Sequence, residues 1–297
     1  MLRSCPMTRS RRINKVRFFL SFFLLAVGAF ALTPRVVGAG ELLTQRPVVI
    51  IGDSQHRMAV HQKLIDAIIK ENPIAVFSLG DQVEDGNSLE DWKVFNETTA
   101  SLRAIARYYP ALGNHERNSP LYYKNFGFPE DKRWYAVQEN KILFIVLDSN
   151  DPLALSENSP QYRWLKDVLA TQGPQNEHIV VLFHHPLFTT SASHDEDEKH
   201  WRTTALPLFE KYHVDLVVSG HCHNYERSLY QGIYYIVSGG GGSSLFGQSR
   251  QSPYAQVFAS KYHFSRLVND HGTLRLNVID VDGKLIDALA IPFVSRF

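Results

Sequence analysis

Apolar residues along this chain fall into short continuous runs, and several runs end in a residue with an oxygen or nitrogen donor. Residues 47–53, Pro-Val-Val-Ile-Ile-Gly-Asp, read as a strand covered on both faces and ending at Asp53. Residues 58–71 carry Val60, Leu64, Ala67 and Ile68 at helical spacing, and Pro73 stops that helix. A second strand over 74–79 delivers Asp81. A helix is expected over 89–106, and a short strand over 108–112 delivers Asn114 and His115. Residues 141–148 form another strand, with 134–137 pairing beside it. Ser159-Pro160 marks the start of a helix that runs over 161–171. Strand 178–183 delivers His184, helix 203–212 follows, and strand 215–219 delivers His221 and His223. Strand 233–238 is closed by Gly239 to Gly242, and residues 262–291 alternate apolar and polar around the hairpin signal Asp282-Gly283.

Strand–helix alternation followed by antiparallel strands predicts an α/β protein: two packed mixed β-sheets flanked by helices. The longest irregular segments are 117–133, 149–160, 186–202 and 240–256, and two of them, 117–133 and 186–202, directly follow a donor-bearing strand. They are expected to form the rim of a site.

The first 39 residues depart from this pattern. They hold seven of the 31 Lys and Arg residues and none of the 30 Asp and Glu residues, and an apolar run covers 18–32. A basic stretch before an apolar one is expected to be a cleaved signal peptide over 1–39, with residues 40–297 a single catalytic domain. The alternative is an uncleaved membrane anchor, although the run is shorter than the roughly 20 residues a spanning helix needs. No Cys follows the run, which argues against a lipid anchor, and Asn14 weakens the twin-arginine reading of Ser10-Arg11-Arg12. The protein is therefore expected to be exported, with no stable membrane insertion of the mature domain.

Without that segment, 24 Lys and Arg stand against 30 Asp and Glu, a formal net charge of −6. A long nucleic-acid partner is not expected of so acidic a body. Only Cys222 remains beside the departing Cys5, so no intrachain disulfide can form and stability must come from the core.

Asp, Asn and His suit hard to borderline metal ions. A two-metal site needs a shared carboxylate, terminal ligands for each ion and an open face. Asp81 is the expected bridge, with Asp53 and His223 on one ion and Asn114, His184 and His221 on the other. A metal-bound hydroxide would attack phosphorus in line, with His115 assisting the leaving oxygen. Arg57, Arg117 and Arg227 flank the motifs and are candidates for holding phosphate oxygens. His194, on the acidic segment His194-Asp195-Glu196-Asp197-Glu198, is a further candidate for facing substrate, with His200 close by. His185 is expected beside the ligands and not among them. Cys222 is expected simply to be packed.

The ordered set Gly52-Asp53, Gly80-Asp81, Gly113-Asn114-His115-Glu116, His184-His185-Pro186 and Gly220-His221-Cys222-His223 resembles the calcineurin-like metallophosphoesterase superfamily over about residues 47–290. The stretches Gly220-His221-Cys222-His223-Asn224-Tyr225-Glu226-Arg227 and Tyr235-Ile236-Val237-Ser238-Gly239-Gly240 are similar to purple acid phosphatases. The resemblance implies a two-sheet sandwich, a pair of iron, zinc or manganese ions, and phosphate mono- or diester substrates. Two departures stand out. Gln55 replaces the usual His of the first motif and is expected to offer an amide oxygen. Glu84 stands where purple acid phosphatases place a Tyr ligand, so no iron–tyrosinate colour is expected.

The expected activity is hydrolysis of small phosphate monoesters. Nucleotide-type diesters are the alternative, with Tyr122, Tyr123, Phe126 or Trp134 as stacking surfaces. A non-catalytic interaction protein on the same fold is the reading from another class.

Overall fold

The computed structural model describes residues 45–129, 131–193 and 199–295. The expected signal or anchor segment and His194 lie outside the described residues. Thirteen strands, five α-helices and one 3-10 turn follow one another from Val48 onwards among the described residues. The first sheet contains β1 (Val48–Ile51), β2 (Ala75–Ser78), β3 (Arg107–Pro110), β11 (His263–Asp270), β12 (Thr273–Asp280) and β13 (Leu285–Pro292), in the order β13-β12-β11-β1-β2-β3. The second contains β4 (Tyr135–Glu139), β5 (Ile142–Val146), β6 (His178–Phe183), β7 (Leu216–Ser219), β8 (Tyr225–Tyr230), β9 (Ile233–Ser238) and β10 (Ala255–Ala259), in the order β10-β8-β9-β7-β6-β5-β4.

β1, β2 and β3 run parallel to one another, as do β5, β6, β7 and β9. Strand periodicity explains the layering. Val48, Ile50, Ala75 and Phe77 point toward Phe144, Val180, Leu182 and Val218 of the other sheet. Phe77 stacks on Phe144 with ring centroids 4.5 Å apart. The alternate residues face helices. Val49, Ile51 and Val76 meet Leu64, Ile65 and Ile68 of α1 (Met58–Lys70). Ile145, Val181 and Val217 join a core with Leu165 and Leu169 of α4 (Pro160–Thr171) and Phe209 of α5 (Lys199–Lys211). Burial on both faces is why these strands read as continuous apolar runs.

Three elements escape the sequence pattern. Within 117–133 lies α3 (Pro120–Phe126), capped by the Ser119 side chain, with Pro120 in its first turn and Gly127 left-handed at its end. These are ordinary start and stop signals around a helix too short to show a period. β8 pairs with β9 through the two-residue turn Gln231-Gly232, both left-handed. β10 completes that edge. Helix α2 (Leu89–Ile105) starts at Ser88, whose hydroxyl accepts from Asp91 N–H.

α3 changes the reading of the aromatic residues. Tyr122 and Tyr123 are buried beside Trp92 and Phe95, and Phe126 stacks parallel on Tyr108. Trp134 packs against the core under α4 and α5. The tyrosines are fillers of the core and are not exposed stacking surfaces.

Candidate metal centre

The carboxyl ends of β1, β2, β3, β6 and β7 meet, and the loops leaving them carry the donor residues. The chain must reverse sharply there. Asp53, Asp81 and His221 take left-handed backbone conformations, with φ of 61°, 53° and 64°. Such conformations cost a non-glycine residue on the order of 1–3 kcal/mol each and persist where surroundings fix them. Here the loops fix one another. Asp53 N–H donates to Gly80 O, and Ser54 and Gln55 N–H donate to Asp81 O. His221 N–H donates to both oxygens of Asp53, at 2.9 and 3.0 Å.

One oxygen each of Asp53 and Asp81 and one nitrogen of His184 lie within 4.8 Å of one another. Around His184 Nε2 stand Asn114 Oδ1 at 2.9 Å, Asp81 Oδ2 at 3.3 Å and His221 Nδ1 at 3.1 Å. His184 Nδ1 is committed to the carbonyl oxygen of Leu79 at 2.8 Å. With Nδ1 carrying the hydrogen, Nε2 presents a lone pair to a cluster of other acceptors. A cation between them resolves the conflict.

His223 and His115 follow the same rule. Their Nδ1 atoms face Ser244 O and Glu84 O, at 2.9 and 2.8 Å. Their Nε2 atoms face Asp53 Oδ1 at 3.8 Å and Asp81 Oδ2 at 3.9 Å. Gln55 is buried, its amide nitrogen is 3.4 Å from Asp81 Oδ2, and its Oε1 has no hydrogen-bond partner among the described residues. An orphaned buried amide oxygen beside the Asp81 carboxylate suits a cation ligand. Asp53, Gln55, Asp81 and His223 thus offer one donor group, and Asp81, Asn114, His184 and His221 the other. Together they fit two metal ions.

The electrostatics have the same cause. Burial pushes Asp53 well above the usual carboxylate range, against the pull of His184. Burial would also raise Asp81, but neighbouring His184 overrides it and holds that carboxyl at about 2. Burial would lower His184, and Asp81 overrides it, lifting the imidazole to about 10. With carboxylates packed this closely, a proton on His184 does part of the work of a cation.

Several supports were invisible in the sequence. Glu116 is fully buried, and its carboxylate accepts from Asp81 N–H at 2.9 Å, Gln82 N–H at 2.7 Å and Gly113 N–H at 2.7 Å. Burial, then the Asp81 charge, raises its carboxyl to about 7. A Cβ on Gly113 would lie 2.2 Å from Asp81 Oδ1, and one on Gly220 would lie 2.6 Å from Asp53 Oδ2, so neither position admits a side chain. Ser243 N–H donates to Asp53 O, and its hydroxyl to Gln55 O. Ser149 Oγ accepts from His185 N–H and lies 2.8 Å from His185 Nδ1. His185 is closer to the cluster than expected. One ring nitrogen each of His184, His185 and His221 lie within 4.8 Å of one another. Glu116 sits inside the Gly-Asn-His-Glu motif, which is the one sequence signal that could have found it.

Some expectations need correction. Arg227 does not face this cluster: its guanidinium is paired with Asp287 at 2.7 Å, joining β8 to β13. Arg227 lies on β8 with Tyr225, whose hydroxyl also reaches Asp287, so its charge is spent between the sheets. β7 ends at Ser219 and His221 is left-handed, so His221 and His223 leave the strand in different directions. His221 faces His184, whereas His223 faces Asp53. The segment after β1 also turns sharply. His56 has φ of 77°, and its Nε2 reaches Glu84 Oε2 at 2.5 Å. Arg57 stays exposed, 3.5 Å from Ser244 Oγ, and Arg117 is exposed 3.8 Å from Asp85 Oδ1. Both remain on loops next to donor residues. Cys222 is buried, with its thiol near Ser193 O.

Two packed mixed sheets with helices outside, and an Asp/Asn/His cluster at the strand ends, define a metal-dependent ester hydrolase architecture. The description "Calcineurin-like phosphoesterase" matches residues 46–225, and the chain belongs to that family. A nucleotide pyrophosphatase/phosphodiesterase of Hordeum vulgare is 27% identical over 272 residues, covering 74% of this chain and 72% of its own length. A probable inactive purple acid phosphatase 1 of Arabidopsis thaliana is 26% identical over 257 residues, and the match covers 72% of this chain but 40% of that protein. The solved purple acid phosphatase PPD1 of Lupinus luteus superposes with a TM-score of 0.74 at 22% identity, covering 83% of this chain and 53% of that one. The chain therefore spans only about half of these longer purple acid phosphatases, and within the family it is similar to them.

Proposed function

We propose that this protein is an exported dinuclear-metal phosphoesterase that hydrolyses small phosphate monoesters. The observation that carries the reading is the surroundings of His184 Nε2: three potential ligand atoms within 3.3 Å, and the other ring nitrogen committed to Leu79 O. Asp53, Gln55, Asp81 and His223 would hold one ion, and Asp81, Asn114, His184 and His221 the other. Bound iron, zinc or manganese supplies Lewis-acid polarisation of the phosphoryl oxygens and brings the pKa of water toward neutrality.

The chain's own residues do the rest. Asp81 joins the two donor groups, and Glu116 holds its backbone N–H. His115, oriented by Glu84 O, points Nε2 into the site, where it delivers a proton to the leaving oxygen. Arg57 and Arg117, on the adjoining loops, steer the phosphate. Export rests on the basic and apolar order of residues 1–39. Among the described residues no helix is long and apolar enough to cross a membrane.

Nucleotide-type diesters are the second reading, favoured by the name of the barley relative and its coverage of both chains. The buried positions of Tyr122 and Tyr123 remove two of the surfaces on which a base would stack.

Elemental analysis of the purified protein, with hydrolysis of nitrophenyl phosphate and bis-nitrophenyl phosphate in added Mn, Zn or Fe, tests both readings. Faster turnover of the monoester supports the first and faster turnover of the diester the second. A protein that holds no metal and hydrolyses neither is a non-catalytic member of the family. His115→Ala should keep its metal and lose about 10²- to 10⁴-fold in kcat on an alkyl phosphate, whose leaving oxygen needs the proton.

A further inference from the structure

Glu84 stands where purple acid phosphatases place a Tyr ligand, and its carboxylate is engaged with His56. Oε2 lies 2.5 Å from His56 Nε2. The other ring nitrogen of His56 lies 3.1 Å from Ser243 Oγ. His56 is left-handed with φ of 77°, a conformation a side chain of this size adopts only when its surroundings hold it there. The two hydrogen bonds are that hold. They tie together three loops: the one after β1 through His56, the one after β2 through Glu84, and the one after β9 through Ser243.

The same Glu84 orients His115. Its backbone oxygen accepts the Nδ1–H of His115 at 2.8 Å, and its carboxylate lies 3.7 Å from that nitrogen. The two imidazoles meet edge-on, with ring centroids 6.3 Å apart. Wherever the His56–Glu84 pair fixes the Glu84 backbone, it fixes the direction of His115 Nε2.

We propose that His56 and Glu84 form a clamp across the mouth of the centre that positions His115 to protonate the leaving group. The inference rests on the phosphoesterase reading. In hydrolysis the P–O bond to the leaving group breaks, its oxygen takes the proton from His115 Nε2, and a water-derived oxygen takes its place on phosphorus. His56 and Glu84 are positioning residues: they touch His115 and its loop, not the reacting atoms. Both side chains are about half exposed, at 46% and 50%, so replacing them leaves the core intact.

The demand for a proton donor separates this role from a merely structural one. Nitrophenolate leaves readily without a proton, whereas an alkoxide does not. His56→Ala, Glu84→Ala, Glu84→Gln and the double alanine variant are compared with wild type on nitrophenyl phosphate and on an alkyl phosphate, with bound metal measured in each. Each alanine variant should lose about tenfold or more in kcat on the alkyl ester and less than about threefold on the nitrophenyl ester, with metal content unchanged. The double variant should be no slower than the singles, because both break one clamp. Glu84→Gln should recover part of the loss, since its amide oxygen still accepts from His56. Equal losses on both esters, no loss, or loss of metal in Glu84→Ala overturns the clamp. Wild type that binds metal but hydrolyses no ester overturns the phosphoesterase reading, and this inference with it.

Discussion

The Nδ1–H of His184 donates to the carbonyl oxygen of Leu79 at 2.8 Å, and that single bond turns Nε2 toward the Asp81 carboxylate, 3.3 Å away. Leu79 ends the apolar run of β2, two residues before Asp81. The strand that leads to Asp81 therefore also orients a donor side chain from the other sheet. His184→Ala should reduce bound metal from two ions toward one, measured by elemental analysis of protein dialysed against limiting metal. Retention of two ions would remove His184 from the ligand set.

Glu116 and Gly113 shape the Asp81 loop from below. Glu116→Gln puts an amide NH₂ among three N–H donors and should cost on the order of 3 kcal/mol of stability and weaken metal binding. Gly113→Ala places a methyl against Asp81 Oδ1 and should cost about 1–3 kcal/mol by overpacking. Denaturant melts of the metal-free proteins separate the stability effect from the ligand effect. An unchanged midpoint in both variants contradicts the arrangement.

Two buried histidines should each contribute stability that is lost with acid over a defined window. Burial pushes His61 and His263 from 6.5 down to about 4, with Nδ1 of each held by a backbone carbonyl, Gly241 O and Lys261 O. Between those values the unfolded chain binds protons that the folded one refuses, so unfolding gains as pH falls from 6.5 to 4. Each histidine contributes on the order of 3 kcal/mol of stability that is present above pH 6.5 and lost by about pH 4. Replacing either by a neutral isostere should flatten part of the slope. Glu116 and Asp53, raised by burial, take up protons in the folded state over the same range and oppose this slope, so the comparison is between variant and wild type: an unchanged pH slope in both variants would show that these histidines are not buried neutral.

Arg227 should matter to the fold and not to the chemistry. Removing it takes the guanidinium from Asp287, which keeps the Tyr225 hydroxyl, between β8 and β13, where the pair is 16% and 11% exposed. Arg227→Ala should lower stability by about 3 kcal/mol and leave kcat/KM of the folded enzyme within about threefold. A large loss of kcat/KM at full folding would return Arg227 to the substrate site.

Colour offers a direct check on Glu84. The two donor groups contain Asp, Asn, Gln and His and no Tyr, and Glu84 turns to His56. Protein loaded with iron should show no tyrosinate charge-transfer band in the visible. A band that persists after Glu84→Ala would place a tyrosine on the metal.

The sequence by itself determined the strands and which residues end them. Runs such as 47–53 and 178–183 are apolar because they are covered on both faces, and a run buried that way can end only where the chain turns out of the sheet, at Asp53 and His184. That local rule, repeated along the chain, also predicts two layers with helices outside. What lies across the space between loops was decided by tertiary structure alone. Arg227 and Arg57 look alike in sequence, each beside a motif; only packing shows one paired with Asp287 and the other exposed on a loop. Glu84 looked like a replaced ligand until His56 was found opposite it, on a loop whose left-handed turn no spacing argument anticipates. Glu116 gained its role from N–H groups of the Asp81 loop, far away in the chain. Periodicity records which face of an element is buried. It carries no record of which partner a polar side chain meets, because that depends on long-range geometry the local pattern does not encode.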